Sequence, residues 1–61
     1  MPVITFDGPK LTKEQKAELA RIFTKAAAEG TKIPEAAFVV LFKENSPENV
    51  ATGGVLLADR D

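Results

Sequence analysis

The sequence predicts an α+β protein, built on one β-α-β unit with a short C-terminal hairpin and assembled into a homo-oligomer. Three observations support this prediction: a β-type run directly after Pro2, an amphipathic segment with helix-capping residues, and an apolar run at residues 38–42. The chain has 61 residues and is expected to form one domain, residues 1–61. Such a small domain buries only about 60% of the surface its unfolded form exposes, so association is the expected source of stability.

The composition excludes several classes of function. The chain has no cysteine and no histidine, which excludes disulfides and argues against a transition-metal site. Eight Lys and Arg residues against nine Asp and Glu give a net charge of −1, so neither nucleic acid nor an anionic membrane is an expected partner. No apolar run reaches the roughly 18 residues of a membrane span, and no signal-peptide pattern follows Met1. The expected location is the cytoplasm.

The first strand and the start of the helix have clear signals. Residues 3–6 are a β-type run, and residues 7–9 (Asp-Gly-Pro) are expected to end it as a turn. Thr12 is the predicted helix N-cap, and Gln15, three residues later, completes a capping-box pattern.

The helix is expected to extend over residues 13–29, with Gly30 ending it in the left-handed conformation. Its apolar side chains follow the i, i+3, i+4 spacing of a single buried stripe. The predicted stripe consists of Leu19, Ile22, Phe23, Ala26 and Ala27.

The second strand is the main argument for an oligomer. Residues 31–35 are expected to form a short loop, which could include one helical turn starting at Pro34. Residues 36–44 then contain an apolar run without alternation, which is typical of a strand buried on both faces. Strand, helix and strand in this order predict a parallel pair with a right-handed crossover. One helix covers one sheet face, so the other face needs a cover from outside the chain.

The C-terminal part of the chain predicts a hairpin. Residues 45–49 are rich in turn formers, and the Gly53-Gly54 pair within residues 50–57 indicates a hairpin turn or a close backbone approach. The apolar residues of this segment are expected to pack on a neighbouring subunit. Residues 59–61 are expected to be solvated and frayed.

Pro2 is the candidate catalytic residue because of its position. An initiator methionine is usually removed when a small residue follows it, and its removal leaves Pro2 with a free secondary amine. A generic α-amino group titrates at about 7.7–8, and a secondary amine starts somewhat higher. Burial or nearby cations must lower this pKa before the amine can act as a base. The absence of histidine leaves this amine, carboxylates and lysines for acid–base chemistry near neutral pH.

Over its whole length the chain resembles the 4-oxalocrotonate tautomerase family of the tautomerase superfamily. The features that carry the resemblance are Met1-Pro2, the β-α-β order, the helix start at residues 14–16 (Glu-Gln-Lys), Pro34 before the second strand, and Gly53-Gly54. Residues 43–50 (KENSPENV) resemble a branch of small archaeal and bacterial homologues.

This resemblance implies a fold, an assembly and a reaction. It implies a tautomerase-type protomer, a homohexamer built as a trimer of dimers, and neither cofactor nor metal. It implies enol–keto interconversion of an unsaturated 2-hydroxy or 2-oxo acid similar to 2-hydroxymuconate. Pro2, once Met1 is removed, would be the general base, and this small acid would be the ligand.

Other positions of the family's site differ here. The family's two substrate-binding arginines correspond to Leu11 and Val39, and a phenylalanine that lines its pocket corresponds to Val50. These differences affect the identity of the substrate more than the role of Pro2.

Four residues are candidates for binding the substrate. Lys10 could supply positive charge if its side chain reaches back over Pro2, and Lys43 shares a strand face with Val39. Val39 and Val50 could form the apolar wall that an amine base needs. Arg60 could also supply positive charge, by reaching a site on another subunit. Weaker candidates are Asn45, Asn49 and Glu44.

Two other functions are compatible with the sequence. A related proline-dependent hydratase or dehalogenase would use a protonated amine, and would differ from a tautomerase in its pH dependence. The chain could also be a non-catalytic β-α-β module for oligomerisation or interaction, in which Pro2 is only an edge-strand residue.

Overall fold

One helix packed on a pair of parallel strands forms the body of the chain, as predicted. The computed structural model describes residues 1–60. The strands and the helix, in chain order, are β1 Val3–Gly8, α1 Lys13–Thr31, β2 Val39–Glu44, β3 Ala51–Thr52 and β4 Val55–Leu56. Short 3-10 turns lie at Glu35–Ala37, Pro47–Asn49 and Leu57–Asp59. The α+β class, the β-α-β order and the C-terminal hairpin are confirmed.

β1 is longer than the sequence predicts. Asp7 and Gly8, expected in a turn, continue the ladder because β2 provides Lys43 and Glu44 as their partners. The ring of Phe6 also lies over Gly8, where a Cβ atom would stand 2.8 Å from the ring. This strand position therefore suits glycine, and the prediction of a turn at residues 7 and 8 was wrong.

The start of α1 agrees with the predicted capping box. The Thr12 hydroxyl accepts a hydrogen bond from the Gln15 N–H at 3.1 Å, and the Gln15 side chain accepts one from the Thr12 N–H at 2.9 Å. These bonds satisfy two of the N–H groups that a helix start leaves without partners.

The end of α1 differs from the prediction. The helix continues through Gly30 to Thr31, and Lys32 is the left-handed residue, with φ of 66°. The Thr31 hydroxyl donates to the Ala27 carbonyl at 2.8 Å, and the Lys32 N–H donates to the Ala28 carbonyl at 2.9 Å. These bonds extend the helix by two residues beyond Glu29, so the predicted stop at Gly30 was wrong.

The buried side of α1 is also rotated from the predicted stripe. Ile22 is 44% exposed, and Ala26 is exposed as well, so both lie outside the packed face. The half-buried helix positions are Lys16, Leu19, Ala20, Phe23, Thr24, Ala27 and Ala28.

Aromatic rings join the helix to the sheet. The ring of Phe6 lies 6.1 Å from that of Phe23 on α1 and 5.9 Å from that of Phe42 on β2. These separations fall in the range of favourable aromatic pairs. Ile4 and Val40 are half-buried on the same sheet face.

No element among residues 1–60 covers the opposite sheet face. Val3 is 50% exposed and Leu41 is 46% exposed, and none of residues 1–60 is fully buried. The chain exposes 4715 Å², whereas a compact monomer of 6.5 kDa exposes about 3800 Å². Its radius of gyration is 14.9 Å, against about 10.5 Å for a compact domain of this length. The exposed area and the radius of gyration are both larger than those of a compact monomer, as expected for a chain that associates with others.

β2 begins later than predicted. Residues 36 and 37, expected in the strand, belong to the 3-10 turn Glu35–Ala37. Pro34 precedes this turn, and its carbonyl accepts a hydrogen bond from the Ala37 N–H at 3.0 Å. A proline fixes its own φ and thereby favours such a turn directly after it.

We call residues 46–60 the C-terminal arm. Gly53 and Gly54, at φ of 58° and 84°, form the predicted hairpin turn. The Arg60 guanidinium donates to the Thr52 carbonyl at 2.8 Å and to the Thr52 hydroxyl at 2.6 Å. Residues 59 and 60 are exposed, as expected, and Asp59 lies in a 3-10 turn. Asp61 lies outside the described residues.

Glu44 connects the end of β2 to the loop before α1. One of its carboxylate oxygens accepts hydrogen bonds from the Leu11 N–H at 3.0 Å and from the Lys16 ammonium at 3.2 Å. The bond from Leu11, and then that from Lys16, lower the pKa of Glu44 from its ordinary value. This carboxylate stabilises the fold in its ionised form.

We expect Gly30→Ala to raise the free energy of unfolding by about 0.5–1 kcal/mol, because Gly30 lies inside the helix. A Cβ atom added there meets nothing within 4 Å. Denaturant unfolding at a fixed protein concentration measures the change. The matched variant Gly54→Ala, at φ of 84°, is expected to destabilise the protein. If Gly30→Ala destabilised the protein, the result would indicate that residue 30, and not Lys32, has the left-handed conformation.

We expect Glu44→Gln to lower the melting temperature at pH 7. Because the folded pKa of Glu44 lies below its ordinary value of 4.5, its stabilisation is present above that pH and disappears as the pH falls through the folded pKa. Melting curves of the parent and the variant should therefore converge in acid. Glu48→Gln, a change at an exposed residue, serves as the control. A difference that is independent of pH would contradict the role of the ionised carboxylate.

Candidate active site

Pro2 lies directly before β1, at one end of the sheet. Its carbonyl oxygen accepts a hydrogen bond from the Val39 N–H at 3.0 Å. Pro2 is half-buried, whereas Met1 is 89% exposed. Pro2 is therefore held against the first residue of β2, and the removal of Met1 would take away almost no buried surface.

The chemistry of Pro2 depends on Met1. While Met1 is attached, the Pro2 nitrogen is part of a planar amide, and its lone pair is delocalised into the carbonyl group. Without Met1 the same nitrogen is a secondary amine whose ring fixes the direction of the lone pair. Val3, the next residue, pairs in register with Val39, and strand alternation places both side chains on the uncovered sheet face with Leu41.

A groove lies at the other end of the sheet, between the loop after β1 and the C-terminal arm. Its volume is about 770 Å³, within the range of pockets that bind small molecules. We call it the apolar groove, because most of its exposed wall is carbon. It is lined by Asp7, Gly8, Pro9, Lys10, Asn45, Ser46, Pro47, Val50 and Leu57.

The structure separates the predicted site residues into two groups. Lys10 and Val50 meet in the apolar groove, whereas Pro2 and Val39 lie at the opposite end of the sheet. β1 has six residues, so its ends are about 20 Å apart. Lys10 therefore does not reach back over Pro2 within one chain, and that expectation was wrong for the single chain.

Lys43 and Asn45 lie where β1 and β2 end. Lys43 is exposed and pairs in register with Asp7. The Asn45 side chain donates a hydrogen bond to the Asp7 carboxylate and, at 3.4 Å, to the Gly8 carbonyl. Asn45 thus holds the two strand ends together. The Asn49 N–H donates to the Ser46 carbonyl within a 3-10 turn.

Two other charged candidates have structural partners. Glu44 accepts hydrogen bonds from the loop and the helix, as described above. Arg60 is bound to Thr52, eight residues away within the C-terminal arm. The bond from Arg21 lowers the pKa of Glu18, but this pair is exposed on α1 and does not line the apolar groove.

Sequence reasoning missed several residues of the apolar groove: Asp7, Pro9, Ser46, Pro47 and Leu57. Pro9 and Pro47 were visible only as turn formers. Parallel pairing brings both loops to one edge of the sheet, because the strands end side by side at Gly8 and Glu44. The predicted parallel pairing could therefore have indicated that the loops after β1 and β2 lie side by side.

Neither a metal site nor a membrane span is found within residues 1–60. No group of three or more acidic side chains in this range could hold a metal ion. α1, the long helix in the same range, is not apolar enough to cross a membrane.

Comparisons with known proteins agree on the family. Residues 2–60 match the family described as tautomerase enzyme. A search of curated proteins gives no match. Among solved structures, YwhB, described as a homologue of 4-oxalocrotonate tautomerase, is 31% identical, with a TM-score of 0.91 over 98% of this chain and 100% of that one.

Two further structures are similar. DmpI from Archaeoglobus fulgidus is 40% identical, with a TM-score of 0.86 over 95% of this chain and 100% of that one. A heterohexamer 4-oxalocrotonate tautomerase from Chloroflexus aurantiacus is 32% identical, with a TM-score of 0.86 over 97% of each chain. With its β-α-β body, its hairpin and a family match over nearly its full length, the chain belongs to the 4-oxalocrotonate tautomerase family of the tautomerase superfamily.

Proposed function

We propose that the protein is a tautomerase that interconverts the enol and keto forms of an unsaturated 2-hydroxy or 2-oxo acid. In this proposal Pro2 is the general base after Met1 is removed. The supporting observation is the position of Pro2, half-buried at the start of β1 and held by the Val39 N–H at 3.0 Å. A nitrogen placed in this way would have a fixed orientation toward a substrate.

The reaction moves one proton. The amine removes the proton of the 2-hydroxyl group, and the electron pair of that O–H bond forms the 2-oxo group. The conjugated double bonds shift by one position, and the proton is returned from the amine to a distant carbon. An amine acts as a base in its unprotonated form, and the apolar residues Val3 and Val39 pair in register at this end of the sheet.

We propose further that the site is completed between two copies of the chain. β1 and β2 form a two-stranded sheet in the described residues, so each strand has a free edge. If two copies pair antiparallel along β1, the start of one strand lies beside the end of the other. Pro2 of one copy would then face Lys10 and Val50 in the apolar groove of its partner.

The assembly that we propose is a homohexamer, a trimer of such dimers. The chain exposes 4715 Å², well above the value for a compact monomer, and Val55, Leu56 and Leu57 of the C-terminal arm are each at least 39% exposed. Further copies would cover both the open sheet face and this arm. The heterohexameric relative from Chloroflexus aurantiacus supports the same subunit number.

We expect Pro2→Ala to lower the turnover number at least about tenfold with 2-hydroxymuconate or phenylenolpyruvate, because a flexible primary amine replaces a fixed secondary one. Initial rates measure the change, and intact mass must show that both proteins have lost Met1. Pro34→Ala, which changes a proline before a 3-10 turn, is the control. Equal rates for the parent and Pro2→Ala would remove Pro2 from the mechanism.

Retention of Met1 should abolish turnover, because an amide nitrogen cannot accept the proton. We expect the specific activity of different preparations to rise in proportion to the fraction of chains that have lost Met1. Intact mass spectrometry measures this fraction, and a methionine aminopeptidase can raise it in a given sample. Full activity in a sample that retains Met1 would contradict the proposed base.

A further inference from the structure

The charges in the apolar groove are few. Among its lining residues only Asp7 and Lys10 carry a charge. Asp7 accepts a hydrogen bond from the Asn45 side chain and pairs in register with Lys43. Lys10 has no ion pair among residues 1–60. After the bonds from Leu11 and Lys16, the Lys10 charge also helps to lower the pKa of Glu44, but no ion pair fixes Lys10 in place. The groove therefore offers one positive charge to a ligand.

The other cations near this end of the sheet do not line the groove. Lys43 is exposed and pairs in register with Asp7 without lining the groove. Lys16 pairs with Glu44 at 3.2 Å, and this pair lies beside the loop that carries Lys10. Arg60 donates two hydrogen bonds to Thr52 within the C-terminal arm. Neither lines the groove. Within residues 1–60, the groove wall therefore presents Lys10 as its one cation.

The rest of the groove wall is unfavourable for a second carboxylate. Pro9, Pro47, Val50 and Leu57 contribute mainly carbon surface. A carboxylate placed against these side chains would lose its hydration without gaining a partner. It would also lie in the same groove as the Asp7 carboxylate.

We infer that the substrate is a monocarboxylate: a 2-hydroxy or 2-oxo acid with an aryl or alkyl remainder, whose single carboxylate binds Lys10. This inference rests on the proposed function, since Pro2 of a second copy supplies the base. The carboxylate receives charge-assisted hydrogen bonds from the lysine ammonium. The apolar remainder of the substrate occupies the space between Pro9, Pro47 and Val50.

Binding and turnover test the inference separately. Hexanoate and adipate differ only in the second carboxylate, and neither reacts, so their dissociation constants can be measured from amide shifts of the assembled protein. We expect hexanoate to bind about tenfold more tightly than adipate. For turnover on protein without Met1, kcat/KM for phenylenolpyruvate should exceed that for 2-hydroxymuconate by a similar factor.

The lysine variants provide the matched comparison. Lys10→Gln should weaken hexanoate binding about tenfold, mainly through the lost charge, whereas Lys13→Gln, a nearby change outside the groove, should leave it unchanged. Lys10→Arg should restore binding. Equal effects of Lys10→Gln and Lys13→Gln would overturn the role of Lys10.

The outcomes separate this inference from the proposed function. Tighter binding and faster turnover of the diacid, with activity still dependent on Pro2, would overturn the monocarboxylate inference and leave the tautomerase proposal standing. Lys10-dependent preference for hexanoate without turnover of either enol would support the monocarboxylate site and contradict the tautomerase proposal. Absence of binding by both acids would overturn the inference.

Discussion

The structure depends on one geometric constraint, which is that a single helix can cover only one face of a pair of parallel strands. Phe6, Phe23 and Phe42 fill the covered side. The other side, with Val3 and Leu41, faces outward. None of residues 1–60 is fully buried, so the free energy of folding for a lone chain lacks the contribution of a closed core. Folding and association are therefore expected to be coupled in this protein.

The same constraint divides the chemistry. Because β1 and β2 are parallel, the loops that follow them lie together at one end of the sheet, and the start of β1 lies at the other end. The candidate base and the apolar groove are therefore about 20 Å apart. A chain of this size cannot bring them together by bending, because the Val39–Pro2 bond and the Asn45 bonds hold both ends of the ladder. Chemistry that needs both groups has to use two chains.

Local signals predicted the elements well where side chains bond to the nearby backbone. The capping box at Thr12 and the glycine pair at the hairpin turn are complete within four residues, and both were predictable. The end of α1 was not predictable from the position of Gly30. The bond from the Thr31 hydroxyl to the Ala27 carbonyl keeps the chain helical past Gly30, and Lys32 takes the left-handed conformation instead. The length of β1 also depended on a distant segment, since its last pairs form with β2.

The candidate site shows the same limit. The position of Pro2 in the chain was enough to nominate it. The groove instead depends on two loops separated by more than thirty residues in the chain, as in the bond from Asn45 to Asp7. Residue type alone also could not show that Arg60 is bound to Thr52. A charged side chain has many possible partners, and only the folded geometry selects one.

The bonds within the C-terminal arm have a consequence for association. Arg60 and Thr52 hold the arm's end to its hairpin, and the Leu57 N–H donates to the Val50 carbonyl at 2.8 Å. An arm that is ordered by its own hydrogen bonds loses little conformational entropy when it docks. Burial of its apolar surface then contributes more to the net binding free energy, so this short segment can hold two subunits together.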